Sequence, residues 1–191
     1  MKKILALAGS PRTKGHTRYL LDQVLEGAEN AGADVETIHV AKKNISGCIS
    51  CYKCQETDEF KCALEDDMQG ILQTIVDADE LILATPVYWF GPTAQLKSVI
   101  DRLFCLFKFD PTKGYYGPLQ GKGLSLVVTA QGDPFSGADQ VVQLVQRIGS
   151  YCRMAYRGTI GAYQVQDVKQ IQGNTLLREE AKDFGVQLGC L

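Results

Sequence analysis

The chain of 191 residues has neither a long apolar run nor an excess of positive charge. No stretch reaches the length of about 20 apolar residues that spans a bilayer. Its 20 Lys and Arg residues are balanced by 22 Asp and Glu residues, which gives a net charge of −2 and a pI near 5.7. A nucleic-acid-binding domain usually carries a basic stripe. We therefore expect neither nucleic acid nor a membrane as a partner.

The common nucleotide-binding motifs are missing as well. Residues 9–17 read GSPRTKGHT, which contains neither the GxxxxGK(S/T) of a nucleotide P-loop nor the GxGxxG of a dinucleotide fold. The same residues contain no cysteine, which excludes a low-molecular-weight phosphatase with its Cys-x5-Arg loop.

The start of the chain lacks the full apolar core of a secretory signal peptide. MKKILALAGS opens with two lysines, but its apolar run is too short and is better suited to a strand. Seven cysteines, with four of them clustered, indicate ligation or redox chemistry in a reducing compartment rather than disulfides. We therefore expect a cytoplasmic protein.

Apolar runs and helical periods alternate along the chain. Strands are expected at 3–9, 34–40, 80–85, 123–130 and 156–165, and helices at about 17–32, 68–77, 93–104, 139–152 and 175–188. This alternation predicts an α/β, doubly wound, five-stranded parallel sheet with helices on both faces. No repeat, low-complexity segment or linker divides it, so 1–191 is expected to be a single domain with a cysteine-rich loop at about 43–67.

Ligands of such sheets bind beyond the carboxyl ends of the strands. The first strand ends at residues 9–17, where small residues, hydroxyls, Arg12 and a helix N-terminus favour an anion. A single terminal phosphate, such as that of FMN, fits this loop better than a triphosphate. The alternative is a plain loop in which Thr17 is the N-cap.

Two further strand ends carry unusual sequence. Tyr88, Trp89 and Phe90 follow the third strand, and three adjacent aromatic residues in a loop cannot all face one core. At least one is expected to meet a flat ligand or a partner subunit, and a packed aromatic loop is the alternative. Residues 129–135, TAQGDPF, form a Gly-containing turn whose amides can bind the edge of a heterocycle.

These motifs together resemble those of the NADPH-dependent FMN reductase family. GSPRTKGHT is similar to the GSxRxxGNT phosphate loop of that family, with His16 in place of Asn, and TPVYWFGPTAQLKSVIDR (85–102) is similar to its flavin loop and following helix. With EDDM (65–68) and the cysteine run, the chain resembles the iron–sulfur flavoprotein branch. The resemblance covers residues 1 to about 135 well and the remainder in outline.

The resemblance implies a flavodoxin-like sheet of order 2-1-3-4-5 and one bound FMN. By matching position, the phosphate would be held by Ser10, Arg12, His16 and Thr17. The ribityl chain and isoalloxazine would be lined by Pro86, Val87, Tyr88, Trp89, Phe90 and Gly91, with Thr129 and Gly132 on the pyrimidine side. Relatives of this kind are dimers or tetramers, so a homo-oligomer is expected.

The cysteine run has the spacing C-x2-C-x2-C-x7-C and comprises Cys48, Cys51, Cys54 and Cys62. Two-residue gaps let successive thiolates converge on one inorganic centre, and the compact triple is more typical of a 4Fe-4S cluster than of zinc. The resemblance also implies a 4Fe-4S cluster. An unmetallated thiol loop and a zinc site remain the alternatives, while Cys105, Cys152 and Cys190 are expected to be ordinary thiols.

The function expected from these features is that of an FMN-dependent oxidoreductase. It would move electrons between NAD(P)H or ferredoxin and a small acceptor, and no acid–base triad is required because the flavin carries the chemistry. One rival is a cluster-free NAD(P)H-dependent FMN or quinone reductase. The other is an electron carrier of flavodoxin type.

Overall fold

The computed structural model describes residues 1–112 and 114–190, and a parallel sheet forms its centre. The described strands are β1 (Lys3–Ala8), β2 (Asp34–His39), β3 (Glu80–Pro86), β4 (Lys108–Asp110), β5 (Gly114–Tyr116), β6 (Gly123–Thr129) and β7 (Ala155–Ala162). Five of them form the parallel sheet in the order β2-β1-β3-β6-β7. The doubly wound α/β fold is therefore confirmed, and its strand order is that of a flavodoxin-like sheet.

Strands β4 and β5 form a separate antiparallel hairpin that the sequence did not predict. Each has three residues, too few for an apolar alternation to be recognised. The fourth and fifth strands expected in the sheet are consequently β6 and β7. The register between them shifts at Leu124 and Ser125, opposite the glycine-interrupted start of β7.

Six α-helices connect and cover the strands in the described part of the chain. They are α1 (His16–Asn30), α2 (Met68–Asp77), α3 (Ala94–Arg102), α4 (Asp139–Tyr151), α5 (Val168–Gly173) and α6 (Thr175–Cys190). Helix α5 was not predicted from the sequence, although Asp167 and Gln170 form a capping box at its start. Within 1–112 and 114–190, no helix is long and apolar enough to cross a bilayer.

The two faces of the sheet carry different helices. Alternate side chains of β1 show the division: Leu5 and Leu7 pack with α2, α3 and α4, whereas Ile4 and Ala6 pack with α1, α5 and α6. The contact between α1 and α6 is close, because a Cβ placed on Gly185 would lie 1.9 Å from the Val24 carbonyl oxygen. Both layers leave the carboxyl edge of the sheet open.

Candidate functional site

A cleft of about 460 Å³ lies at the carboxyl ends of β1, β3 and β6. This is the edge at which ligands bind to open α/β sheets. Its walls come from the three predicted strand ends together with the segment that follows β7. The cleft is lined by Ser10, Arg12, Gly15, His16, Thr17, Pro86, Val87, Tyr88, Trp89, Thr129, Ala130, Gln131, Val165 and Gln166.

The loop after β1 ends in an open helix N-terminus. Helix α1 begins at His16, and its N-cap is Gly15, so no side chain caps its first N–H groups. The alternative in which Thr17 caps the helix is wrong, because Thr17 lies inside the first turn. Its hydroxyl instead forms a 2.7 Å hydrogen bond with the Thr129 hydroxyl, which ties α1 to the end of β6.

Besides the uncapped N–H groups of α1, a side-chain atom in this wall of the cleft has no hydrogen-bond partner in the protein. The Nε2 atom of His16 is buried and makes no hydrogen bond. A buried polar atom without a partner costs about 1–3 kcal/mol, so such an atom beside an open cleft indicates that a ligand satisfies it. Ser10 is also buried, and its hydroxyl accepts a 3.2 Å hydrogen bond from the Arg12 backbone N–H.

The aromatic wall is a tight turn after β3. Tyr88 and Gly91 pair through backbone hydrogen bonds of 2.8 and 3.0 Å, and the two residues between them have φ values of 45° (Trp89) and 63° (Phe90). Non-glycine residues in this region cost about 1–3 kcal/mol each and cluster at binding sites. The turn leaves the Trp89 side chain 94% exposed at the cleft.

A glycine from the segment after β6 supports this turn from behind. Gly137 has φ +109°, and a Cβ there would lie 2.9 Å from the Phe90 Cα atom. A side chain at this position would therefore displace the aromatic turn. The close approach explains why Phe90 packs toward Gly137 and does not line the cleft.

Three residues assigned to the flavin by sequence lie beside the cleft without lining it: Phe90, Gly91 and Gly132. Gly91 closes the aromatic turn, and the Gly132 carbonyl accepts a 2.9 Å hydrogen bond from the Gln164 N–H. Their contact with a flavin stays a prediction. Conversely, Val165 and Gln166 line the cleft but were not predicted from the sequence, although they follow the last strand at the same edge, where ligand contacts are expected.

The four clustered thiols line a second cavity, of about 370 Å³. They lie in the irregular segment between Lys42 and Met68, which includes a single 3₁₀ turn at Lys53–Gln55. Cys48 and Cys51 are exposed, Cys54 is half-buried and Cys62 is buried. Within the described residues, no three Cys, His, Asp or Glu side chains are arranged closely enough to hold one metal ion.

A buried ion pair clamps the two ends of this cysteine loop together. Arg102, 1% exposed at the end of α3, donates to both carboxylate oxygens of Asp66 at 2.8 and 3.1 Å. The same guanidinium donates to the Ser46 and Leu64 carbonyls at 3.0 and 3.2 Å. Its Nε atom is buried without a partner, although Arg102 lines the thiol cavity.

Asp66 is ionised in this arrangement. Burial acts to raise the pKa of its carboxyl, but hydrogen bonds from Arg102, Ser46 and Met68 outweigh burial and hold the pKa below its usual range. The anchor at the loop's ends is therefore a charge-assisted bidentate pair.

A fifth thiol lies close to the loop. Burial, followed by the neighbouring Cys62 and Cys54 thiols, raises the pKa of Cys105 to about 12. Cys105 is thus a neutral core thiol, unlike a metal ligand. Cys152 is half-buried and Cys190 exposed, and all seven cysteines are free.

Helix α3 joins the two cavities. At its first turn, the Thr93 hydroxyl accepts from the Leu96 N–H and donates to the Gly9 carbonyl beside the cleft. At its last residue, Arg102 reaches the thiol cavity. Nine helical residues span about 13 Å, so one short rigid element separates the two sites.

The fold and the cleft define this protein as a flavodoxin-like α/β protein with an open cleft at the carboxyl edge of its sheet. The chain belongs to the NADPH-dependent FMN reductase family, which residues 2–165 match. An iron-sulfur flavoprotein of Archaeoglobus fulgidus is 37% identical over 115 residues, covering 60% of this chain and 51% of that protein. Another from the same organism is 32% identical over 142 residues, covering 74% of this chain and 68% of that protein.

The solved structures agree on the fold. An FMN-dependent NADH-azoreductase from Bacillus anthracis, solved in complex with FMN, superposes with a TM-score of 0.75 at 17% identity, covering 99% of this chain and all of that one. The chain spans about half the length of most of the iron-sulfur flavoproteins that it matches.

Proposed function

We propose that the protein binds one FMN in the cleft and moves electrons between NAD(P)H or ferredoxin and a small acceptor such as a quinone. The observation that carries this proposal is the buried, unpartnered Nε2 atom of His16 beside the uncapped start of α1. The N–H groups at the start of α1 have no side-chain cap and His16 Nε2 has no hydrogen-bond partner, and a phosphate supplies a partner to both.

The remaining residues of the cleft fit the other parts of FMN. Arg12 adds a positive charge beside the helix N-terminus, and the exposed indole of Trp89 offers a flat apolar face to an isoalloxazine ring. The Thr129 hydroxyl, fixed by Thr17, lies at the end of β6. We propose that the phosphate is held by Ser10, Arg12, His16 and Thr17, and the rest of the flavin by Pro86, Val87, Tyr88, Trp89, Phe90, Gly91, Thr129 and Gly132.

FMN, when bound, accepts a hydride or two electrons and releases electrons singly. The side chains that line the cleft bind and orient it and offer no acid–base triad. NAD(P)H is the proposed donor because the family is described as NADPH-dependent. Exposed aromatic side chains at the cleft leave room for a nicotinamide or a quinone to approach.

We further propose that the thiol cavity holds a 4Fe-4S cluster ligated by Cys48, Cys51, Cys54 and Cys62. Four thiols on one cavity wall match the donor set of such a cluster. Since Cys48 and Cys51 are exposed, a one-electron partner such as ferredoxin can approach this side.

A cluster-free NAD(P)H-dependent FMN or quinone reductase is the second candidate. It is favoured by the arrangement of the thiols, which line a common cavity without the spacing of a single-ion site. Under this alternative, the Cys48→Ser, Cys51→Ser double variant retains the full rate of NADPH-dependent quinone reduction. Under the main proposal, it loses electron transfer to ferredoxin and keeps its flavin.

The oligomeric state, the domain extent and the cellular compartment of the protein are proposed as well. We propose a homodimer or homotetramer, because the fully exposed Trp89 and the apolar groove beside Phe104 and Tyr151 are surfaces that a second subunit would cover. Light scattering of the purified protein tests this. Residues 1–191 are proposed as one domain, and the cytoplasm as its compartment, in keeping with seven free thiols.

The phosphate assignment is tested by comparing FMN with riboflavin, which lacks the phosphate. Apoprotein is titrated with each flavin, and the quenching of flavin fluorescence gives the affinity. Arg12→Ala is expected to weaken FMN binding about tenfold, because a charge-assisted hydrogen bond is lost, and to leave riboflavin binding unchanged.

The matched control is Lys14→Ala, which removes a cation from the same loop but not from the wall of the cleft. Its FMN affinity is expected to equal that of the unmodified protein. Equal affinities of the unmodified protein for FMN and riboflavin would overturn the assignment.

A further inference from the structure

Lys108 lies beneath the cysteine loop and is almost fully buried, at 4% exposure. It is the first residue of β4, just beyond the 3₁₀ turn that follows α3. Its Nζ atom donates to the Cys54 carbonyl and, at 2.6 Å, to the Thr57 carbonyl. The same atom lies 5.8 Å from the centre of the Phe60 ring.

The charge of Lys108 has no carboxylate partner among the described residues. Arg102, the other buried cation that contacts the loop, is neutralised by Asp66 at 2.8 Å. The ammonium of Lys108 contacts only two backbone carbonyls and the face of the Phe60 ring. Burying an unpaired ammonium costs several kcal/mol. Such a charge is stabilised when the site itself becomes anionic.

The side-chain amide of Gln55, a residue of the loop, lies near the thiol of Cys54. The Gln55 amide donates to the Phe104 and Phe107 carbonyls at 3.1 and 3.0 Å, and it lies 3.6 Å from the Cys54 sulfur. Hydrogen bonds to ligand sulfurs and nearby charge are among the factors that set a cluster's reduction potential. Two side chains therefore contact Cys54: the Lys108 ammonium donates to its carbonyl oxygen, and the Gln55 amide lies near its sulfur.

We infer that Lys108 is a positioning residue of the thiol site, where its ammonium fixes the backbone at Cys54 and compensates the negative charge of a thiolate-bound centre. This inference rests on the proposed function, since it requires that Cys48, Cys51, Cys54 and Cys62 bind as thiolates. It concerns a residue that binds neither the flavin nor the metal.

The first test uses Co²⁺ as the probe and needs neither iron nor flavin. Metal-free, reduced protein is titrated without oxygen, and the thiolate-to-cobalt absorption bands report binding. Lys108→Gln, which keeps a hydrogen-bond donor without the charge, is expected to weaken Co²⁺ affinity about tenfold, or about 1.4 kcal/mol. Lys108→Arg, which keeps the charge, is expected to restore most of that affinity.

The matched control is Lys97→Met on α3. It removes an equal charge, but an exposed one that pairs with Asp101, and is expected to change Co²⁺ affinity less than about twofold. If Lys108→Gln does not fold, Lys108→Met, an apolar side chain of similar length, takes its place.

The second test measures the cluster's reduction potential in the reconstituted protein by an EPR-monitored titration. Loss of a nearby positive charge disfavours the reduced cluster. We therefore expect a tenfold fall in the ratio of reduced to oxidised cluster at a fixed potential, which corresponds to about 59 mV for one electron. A purely structural role would lower stability and leave the potential in place.

The outcomes separate this inference from the proposed function. If the unmodified protein gives thiolate bands and a cluster while Lys108→Gln matches it in both tests, the role of Lys108 is overturned and the thiol site stands. If the unmodified protein shows neither thiolate–cobalt bands nor a cluster, the thiol site and the role of Lys108 are both overturned.

Discussion

The flavin cleft and the cysteine loop are built in opposite ways. The cleft is formed by the ends of β1, β3 and β6, which the sheet holds in place through backbone hydrogen bonds and two packed layers. The cysteine loop has almost no regular structure and is held by long side chains, among them those of Arg102, Lys108, Gln55 and Gln69. A single substitution should therefore be felt more strongly in the loop than in the cleft.

The largest effect is expected at Arg102. Arg102→Met leaves Asp66 as a buried, unpaired charge and frees both ends of the loop, which should lower the free energy of unfolding by about 3–5 kcal/mol. Urea denaturation measures this change, and limited proteolysis should show new cleavage within residues 43–67.

Two variants on α3 sharpen this test. Lys97→Met breaks an exposed ion pair at the same helix and should cost less than about 1 kcal/mol. Arg102→Lys keeps the charge but not the bidentate geometry, so it should fall between the two. A loss below 1 kcal/mol in Arg102→Met, with no new cleavage, would show that the loop does not depend on this clamp.

A smaller effect is expected at Thr93, which is buried beside the cleft. Thr93→Val removes the cap of α3 and the 2.7 Å hydrogen bond to the Gly9 carbonyl, which should cost about 1–2 kcal/mol of unfolding free energy. FMN affinity should fall only slightly, because the sheet still positions the other walls. Loss of flavin binding in this variant would mean that the cleft, like the loop, depends on a single side chain.

The smallest effect is expected at Glu80, at the amino end of the central strand β3 and away from the cleft. Burial raises the pKa of its carboxyl above 4.5, and its contacts with Ser125, Lys2 and Arg157 only partly offset this. Because the folded state then holds the proton more tightly than the unfolded state, stability falls as the pH rises from that value through the raised pKa. Glu80→Gln should lack this fall.

The comparison that checks Glu80 is the difference in unfolding free energy between Glu80→Gln and the unmodified protein. The variant should gain in relative stability as the pH rises from about 4.5 through the raised pKa of Glu80, with no change in FMN affinity or in cleavage of the cysteine loop. A pH-independent difference would show that the Glu80 pKa is not raised by folding.

The same contrast explains how much could be predicted from the sequence. The five sheet strands and the three unusual strand ends were recognisable, because buried parallel strands carry continuous apolar runs and their carboxyl ends meet at one edge. Nine of the twelve residues assigned to the flavin line the cleft. Phe90 does not, because its orientation depends on the contact with Gly137, which lies 47 residues along the chain.

The supports of the cysteine loop were not recognisable. The thiol spacing indicated a common ligand, but the contact between Arg102 and Asp66 spans 36 residues and that between Lys108 and Cys54 spans 54. Nothing in the local pattern distinguishes these two cations from exposed ones. Long-range contacts of single side chains depend on the tertiary fold and leave no periodic signal.

The central claim is that one short chain carries two redox centres, an FMN in the cleft and a cluster in the cysteine loop. The most direct test is to purify the protein without oxygen and to analyse iron, sulfide and flavin together with the visible spectrum. We predict about one FMN and about four iron and four sulfide per chain. A yellow protein containing FMN but no iron and no sulfide, prepared in the same way, would contradict the claim.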